Sequence, residues 1–130
     1  RLYACNNRIV RPNIFIFYGG GVMILIIGGA YQGKFDYAKE HFANDKIINN
    51  FHKKMLELMK EGINPLTYIK ENMGFYKDKI IISDDISCGV VPIDEAMRKY
   101  RELVGRSLAL LSKNADEVIR VFCGIGTKIK

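Results

Sequence analysis

From Met23 to Phe35 the chain reads MILIIGGAYQGKF, an apolar run followed by a glycine-rich turn and a lysine. Met23–Ile27 is short, apolar and rich in β-branched residues, which is typical of a buried strand. Gly28–Lys34 has the spacing G-x-x-x-x-G-K of a phosphate-binding loop at the exit of a strand. A helix is expected to follow from Gly33 onward. This order of strand, loop and helix predicts an α/β fold with a phosphate ligand.

The loop is suited to phosphate because its backbone N–H groups form an anion-binding concavity, to which the N-terminus of the next helix contributes. Lys34 supplies a charge for the β and γ phosphates of a nucleotide. The sequence therefore predicts nucleotide binding by Gly28, Gly29, Ala30, Tyr31, Gln32, Gly33, Lys34 and Phe35. Phe35 stands where a Ser or Thr hydroxyl would contact Mg²⁺. The alternative is a tight strand-to-helix turn with a chance lysine.

A second buried strand is predicted at Lys79–Asp85, with the carboxylates Asp84 and Asp85 at its C-terminal end. In sheets of this class ligands bind beyond the carboxyl ends of the strands. If the two strands are neighbours, the loop Gly28–Lys34 and both carboxylates face one site. We predict Asp84 as a catalytic residue that holds Mg²⁺, and Asp85 as a further phosphate or substrate contact. The alternative is that these carboxylates only cap a turn.

The remaining patterns predict helices between the strands. Asp45 is expected to cap a helix whose apolar stripe includes Ile48, and Asn64-Pro65 is expected to begin another that ends at Gly74. Asp94 precedes a long helix. A third strand is predicted at Glu117–Cys123, a turn at 124–126 and a short strand at Thr127–Lys130. These elements predict a mostly parallel sheet like that of P-loop NTPases, covered by helices on both faces. His41 and His52 are expected on helix surfaces.

Composition narrows the class of protein further. The chain of 130 residues has a formal charge of +6, half of which comes from Arg1, Arg8 and Arg11. Residues 23–130 carry seventeen basic and fourteen acidic side chains. This small excess of positive charge does not favour nucleic-acid binding. The apolar runs are too short for a membrane span. Three cysteines without a paired spacing favour the reducing cytoplasm.

The sequence also suggests where the domain begins. Residues 1–22 contain no acidic side chain and precede Met23. We predict that they lie outside the domain, as a translated leader from a mis-assigned start or as a disordered segment. Residues 23–130 are expected to form a single P-loop α/β domain.

The C-terminal third carries a more specific pattern. It is the ordered series Cys88-Gly89-Val90-Val91-Pro92, Arg98, Tyr100-Arg101, Gly105-Arg106, Ala115-Asp116-Glu117-Val118 and Cys123-Gly124-Ile125-Gly126-Thr127-Lys128-Ile129-Lys130. Together with residues 23–30, this series resembles the bifunctional adenosylcobinamide kinase / adenosylcobinamide-phosphate guanylyltransferase family. The resemblance covers roughly 20 residues at the start of the domain and about 50 at its end.

The resemblance implies an oligomeric P-loop enzyme of cobalamin biosynthesis, here a homo-oligomer, that binds nucleotide and corrinoid. Such an enzyme uses ATP or GTP and Mg²⁺ to phosphorylate adenosylcobinamide, and then transfers GMP through a guanylylated histidine. The chain departs from the family at Phe35, and it lacks a recognisable match to the segment with that histidine. The resemblance therefore favours the kinase step over guanylyltransfer.

Several further residues are candidate contacts in this interpretation. Arg98, Arg101 and Arg106 are candidates for phosphate or substrate, with a solvated helix face as the alternative, and Gly89 and Pro92 would shape a substrate loop. A second hypothesis is a nucleotide- or corrinoid-binding module without catalysis, acting as a regulator or as a subunit of a hetero-oligomer. Phe35 and the missing histidine favour that second hypothesis.

Overall fold

The computed structural model describes residues 22–42, 44–86 and 94–130. The strands are β1 (Ile24–Gly28), β2 (Ile47–Ile48), β3 (Ile80–Asp84), β4 (Glu117–Phe122) and β5 (Ile125–Lys128). The α-helices are α1 (Lys34–His41), α2 (Phe51–Lys60), α3 (Pro65–Glu71), α4 (Met73–Tyr76) and α5 (Glu95–Asn114). A short 3₁₀ helix, Asn44–Lys46, precedes β2. The predictions for residues 1–21, Gly89 and Pro92 lie outside the described residues.

The strands form one sheet in the order β2-β3-β1-β4-β5. All neighbouring pairs are parallel except β4 and β5, which form an antiparallel hairpin at the edge. Gly28 at the end of β1 is in register with Asp84 at the end of β3. The two strands are therefore neighbours, which is the condition under which the loop and Asp84 face one site.

Helices cover both faces of this sheet. On one face, Tyr37 and Ala38 of α1 pack on strand residues such as Ile26 and Ile82. On the other face, α2, α3, α4 and α5 pack on Leu25, Ile81 and Val118 through the buried residues Phe51, Met55, Ile69, Tyr76, Tyr100, Val104, Leu108 and Leu111. Successive strand residues point to opposite faces of the sheet. Each helical layer therefore covers one set of strand side chains and excludes water from that face. The predicted α/β class is confirmed.

Two helices begin as their sequences predict. The Asn64 side chain accepts a hydrogen bond from the Leu66 N–H at 2.9 Å, with Pro65 in the first turn. The Asp94 side chain accepts from the Ala96 N–H at 2.9 Å. Each carboxamide or carboxylate oxygen thus satisfies an N–H that has no partner within the helix.

The structure corrects two predictions in the middle of the chain. Ile48 lies in β2, where it pairs with Ile81, and not on the stripe of a helix capped by Asp45. Pairing with β3 outweighs the local helical spacing, and α2 begins only after Asn50, which has a left-handed φ of 55°. Gly74 does not end a helix, because it lies inside α4.

The last strands also differ from the prediction. Strand β5 begins at Ile125, two residues before the expected Thr127. The turn is the two-residue Cys123-Gly124, whose φ values are 52° and 78°. Left-handed backbone at both positions matches the twist of a tight hairpin, so β5 can begin directly after the turn.

The amino edge of the sheet holds both ends of the described chain. The Met23 N–H donates to Asp116 Oδ2 at 2.8 Å, which ties the start of β1 to the start of β4. The Lys130 ammonium donates to the Ser112 carbonyl at 2.9 Å, at the end of α5. Among the described residues, no helix has both the length and the apolar character needed to cross a bilayer.

Candidate functional site

A cavity of about 460 Å³ opens at the carboxyl edge of β1 and β3. The phosphate loop and the first turns of α1 and α2 surround it. Its lining consists of Ala30, Tyr31, Gln32, Gly33, Lys34, Phe35, Asp36, Asn49, Asn50, His52, Lys53 and Asp84. This position is where parallel α/β sheets bind their ligands.

Lys34 and Asp84 meet at the base of this cavity. Lys34 Nζ lies 2.6 Å from Asp84 Oδ1 and donates to the Gly29 carbonyl oxygen, also at 2.6 Å. Lys34 is only 7% exposed, so its charge is poorly screened and its partner carboxylate stabilises it. An ammonium group has three donors, and two of them are accounted for by these contacts. The third is available for a ligand in the cavity.

The loop after β1 contains two residues with left-handed backbone. Tyr31 and Gly33 both have positive φ values, 61° and 88°. The first hydrogen bond of α1 runs from the Tyr37 N–H to the Gly33 carbonyl at 2.9 Å. Left-handed residues within a loop are compatible with an anion-binding concavity, in which successive N–H groups turn toward one side.

His52 is buried against Asp84, so its predicted place on a helix surface is wrong. Its Nδ1 accepts a hydrogen bond from the Asp84 N–H at 3.1 Å, and its Nε2 lies 3.5 Å from Asp84 Oδ2. Burial lowers the pKa of His52; Asp84 opposes this effect, and Lys53 and Lys34 add to it. The neutral ring that results carries its proton on Nε2, facing the carboxylate.

Tyr100 supports His52 from helix α5. Its hydroxyl donates to the His52 carbonyl oxygen at 2.8 Å, and the contact is buried. Burial, followed by the negative charge of Asp84, raises the pKa of the Tyr100 phenol. The neutral hydroxyl therefore remains a donor that links α5 to the start of α2.

Two carboxylates line the cavity, Asp36 and Asp84, and the one beside Lys34, Asp84, suits a nucleotide-bound Mg²⁺. Such an ion uses one or two carboxylates together with phosphate oxygens and water, and Asp84 lines the cavity beside the loop. Phe35 offers no ligand, and Lys39 Nζ lies 4.6 Å from the centre of its ring. Within the described ranges, no three His, Cys, Asp or Glu side chains form a metal cluster.

Other candidates lie away from the cavity lining. Asp85 donates its N–H to the Gly28 carbonyl at 2.9 Å. Arg101 Nε donates to the Ile86 carbonyl at 2.9 Å, and Arg106 pairs with Glu102 at 2.9 Å on the exposed face of α5. Like Arg98, these residues are not among the described residues that surround the cavity.

Besides Asp36 in the first turn of α1, sequence reasoning missed four residues of the lining: Asn49, Asn50, His52 and Lys53. They follow β2, which was not predicted as a strand. Taking Ile47-Ile48 as a short parallel strand would have placed Asn49 and Asn50 at its carboxyl end, where ligands bind. The pair of β-branched residues before two asparagines is a weak signal of such a strand, because two residues have no measurable period.

The parallel sheet, the glycine-rich loop after β1 and the buried lysine–aspartate pair define an α/β fold of the P-loop type. The family model described as "Cobinamide kinase / cobinamide phosphate guanyltransferase" matches residues 48–129. The chain belongs to this family. The match begins after the phosphate loop, and it includes β3, α5 and the β4–β5 hairpin.

Two curated relatives share part of the chain. The "Bifunctional adenosylcobalamin biosynthesis protein CobU" of Salmonella typhimurium (strain LT2) is 37% identical over 51 residues, which are 39% of this chain and 28% of the relative. The protein of the same name from Escherichia coli (strain K12) is 35% identical over 51 residues, with the same two coverages. The matched segment thus spans little more than a quarter of either relative.

Proposed function

We propose that this protein transfers a phosphoryl group from ATP or GTP to a hydroxyl of adenosylcobinamide, in cobalamin biosynthesis. The observation that carries the proposal is the buried Lys34–Asp84 pair at the base of a phosphate-loop cavity. Membership of the cobinamide kinase / cobinamide phosphate guanyltransferase family supports the choice of acceptor. Positioning and charge neutralisation dominate phosphoryl transfer, and this cavity supplies both.

In the proposed reaction, the loop N–H groups and the Lys34 ammonium hold the β and γ phosphates. The acceptor oxygen bonds to the γ-phosphorus while the bond from that phosphorus to the bridging oxygen breaks, and nucleoside diphosphate leaves. Water or a phosphate oxygen takes the hydroxyl proton. Asp84 orients Lys34, and with Mg²⁺ bound it would also ligate the ion, which would neutralise phosphate charge.

The two histidines argue against guanylyltransfer. Both ring nitrogens of His52 face Asp84, so neither is directed at a phosphorus atom. His41 Nδ1 donates to the Tyr37 carbonyl oxygen at 2.8 Å, and its ring stacks on the Tyr37 ring and is not among the residues that line the cavity, so its Nε2 lone pair is not directed into the cavity. A nitrogen nucleophile needs a free lone pair aimed at its target, which favours the kinase step as the proposed activity.

The first test is nucleotide binding by calorimetry on the full chain. We expect micromolar affinity for ATP or GTP, about −8 kcal/mol, and loss of that affinity in Lys34→Ala. Lys60→Ala is the matched control, because it removes the same charge from the last turn of α2. Adenosylcobinamide and nucleotide are then incubated with each variant, and the corrinoid product is identified by mass spectrometry.

A second candidate function, nucleotide or corrinoid binding without catalysis, is favoured by Phe35 at the hydroxyl position. Saturable Lys34-dependent binding without phosphorylated corrinoid would support this alternative and overturn the kinase proposal. Absence of binding to either nucleotide would overturn both nucleotide-dependent candidates.

A further inference from the structure

The turn between β4 and β5 lies directly against the phosphate loop. The Gln32 carbonyl oxygen accepts a hydrogen bond from the Gly124 N–H at 2.7 Å. Its side-chain Oε1 accepts another from the Cys123 N–H, also at 2.7 Å. One residue of the loop therefore binds both residues of a turn that lies about ninety positions further along the chain.

These two N–H groups are the ones that the hairpin itself leaves unpaired. Phe122 pairs with Ile125, so Cys123 and Gly124 form a two-residue turn. Their left-handed φ values direct the two consecutive N–H groups out of the strand ladder. Gln32 accepts from both groups, so the turn and the loop satisfy each other's hydrogen bonds.

The same hairpin touches the chain on both sides of the loop. A Cβ on Gly28 would overlap the Val121 carbonyl oxygen, and a Cβ on Gly33 would lie 3.3 Å from the Gly124 Cα. Further along, Gly126 packs so closely on the Tyr37 ring that a Cβ would overlap it. The β4–β5 hairpin therefore contacts the end of β1, the loop and the first turn of α1.

The loop needs such support because of its own backbone. Tyr31 has a left-handed φ, which is costly for a residue with a side chain. That side chain is fully exposed to solvent, so its own packing does not hold this conformation. Gln32 lies between Tyr31 and Gly33, the two left-handed residues, and is held by the hairpin through both main chain and side chain.

We infer that the β4–β5 hairpin holds the phosphate loop in its anion-binding shape, with Gln32 and Gly124 as positioning residues for the triphosphate. The inference rests on the proposed function for the identity of the ligand. It assigns to the hairpin a contribution to nucleotide affinity, although neither Cys123 nor Gly124 lies in the cavity lining.

Two sets of variants test this role. Gln32→Met keeps the length of the side chain and removes the acceptor for Cys123. Gly124→Val and Gly124→Asn form a matched pair, because a side chain meets nothing within 4 Å there and only Asn readily adopts a positive φ. Ile125→Ala, at an exposed position on the same hairpin, is the control.

Affinity for ATP, GTP and inorganic tripolyphosphate is measured on the full chain, together with thermal unfolding without ligand. We expect Gln32→Met to weaken the binding of nucleotide and tripolyphosphate by the same factor, about five-fold, the equivalent of one hydrogen bond. Gly124→Val should weaken it more, Gly124→Asn should lose less affinity than Gly124→Val, and Ile125→Ala should bind like the parent. A purely structural role would lower the unfolding temperature and leave the affinity of the folded protein unchanged, which would overturn the inference.

Hydrogen exchange separates this inference from the proposed function. If the parent binds no phosphate ligand, the proposed function fails, but the hairpin's hold on the loop is still measurable. Faster exchange of the Gly33 and Lys34 amides in Gln32→Met, with global stability maintained, would then support the inference. Unchanged exchange at these amides would overturn it. If Gly124→Val does not fold, Gln32→Met alone is sufficient to test the inference.

Discussion

At the scale of single residues, Phe35 retains the N–H that a phosphate-binding loop uses but lacks the hydroxyl that would bind a metal ion. Its N–H remains part of the loop, while its ring is 42% exposed beside the cavity and carries no oxygen. A nucleotide that enters this cavity therefore meets the loop amides, Lys34 and Asp84, but no hydroxyl next to the lysine. Any Mg²⁺ that accompanies the nucleotide has one protein ligand fewer than in a loop that ends in Ser or Thr.

Phe35→Thr should therefore make nucleotide affinity more dependent on Mg²⁺. The hydroxyl adds a ligand beside the phosphates, and changing a group that supports a metal typically alters affinity by about ten-fold. The measurement is calorimetric titration of ATP and GTP with Mg²⁺ and with EDTA. Phe35→Ala is the control, because it removes the ring without adding an oxygen, and an equal Mg²⁺ effect in both variants would contradict the prediction.

His52 shows what could not be predicted about single residues. Its position at the start of α2 gives no local sign of burial, because that depends on Asp84 and Tyr100, which are distant in sequence. The place of Lys34 in the cavity lining could be predicted, because it follows from the spacing of neighbouring residues. The neighbouring residues in the sequence do not reveal whether elements distant in sequence bury a side chain.

At the scale of elements, local signals predicted β1, β3 and α5 well. Each contains an apolar run or stripe long enough to define its own period, and α5 also has a cap at Asp94. Strand β2 has only two residues and exists through its pairing with β3. Since no two-residue segment has a measurable period, its sequence could not distinguish it from the start of a helix.

The cap of α5 allows a direct test at this scale. Asp94→Ala removes the acceptor for the Ala96 N–H and an acidic group from the N-terminus of a 20-residue helix. We expect the free energy of unfolding to fall by about 1 kcal/mol, measured as a lower urea midpoint with an unchanged slope. Asp94→Ser retains a capping oxygen and should lose less; an equal loss in both variants would exclude capping as the cause.

At the scale of the whole molecule, the two helical layers differ in size. Helix α1 alone supplies the helical residues described on one face, while α2, α3, α4 and α5 build the other. Tyr76 belongs to the larger layer, where its ring contacts Phe51 and Phe75 edge to face. Its phenol is buried in the same layer that supports the candidate site.

This burial predicts how global stability responds to high pH. Burial, together with a hydrogen bond to Tyr68, raises the pKa of Tyr76 above its usual 10. Above pH 10 the unfolded chain loses this proton while the folded protein retains it, so stability is complete below pH 10 and falls as pH rises above it. Urea unfolding between pH 8 and 11 should show a shallower decline in Tyr76→Phe.

Tyr31→Phe serves as the control for that measurement, because its ring is fully exposed. Its stability should follow the parent across the whole pH range. If the stability of Tyr76→Phe declined as steeply with pH as that of the parent, ionisation of other groups would govern the loss of stability.

The anchoring of Lys130 at the end of α5 has a practical consequence for measurement. Lys130 and Met23 lie at the amino edge of the sheet, and the cavity opens at the carboxyl edge. Immobilising the protein through a group attached at the amino edge would turn the cavity away from a sensor surface. Surface-based kinetics and calorimetry in solution should then report the same affinity, even for a ligand as large as a corrinoid.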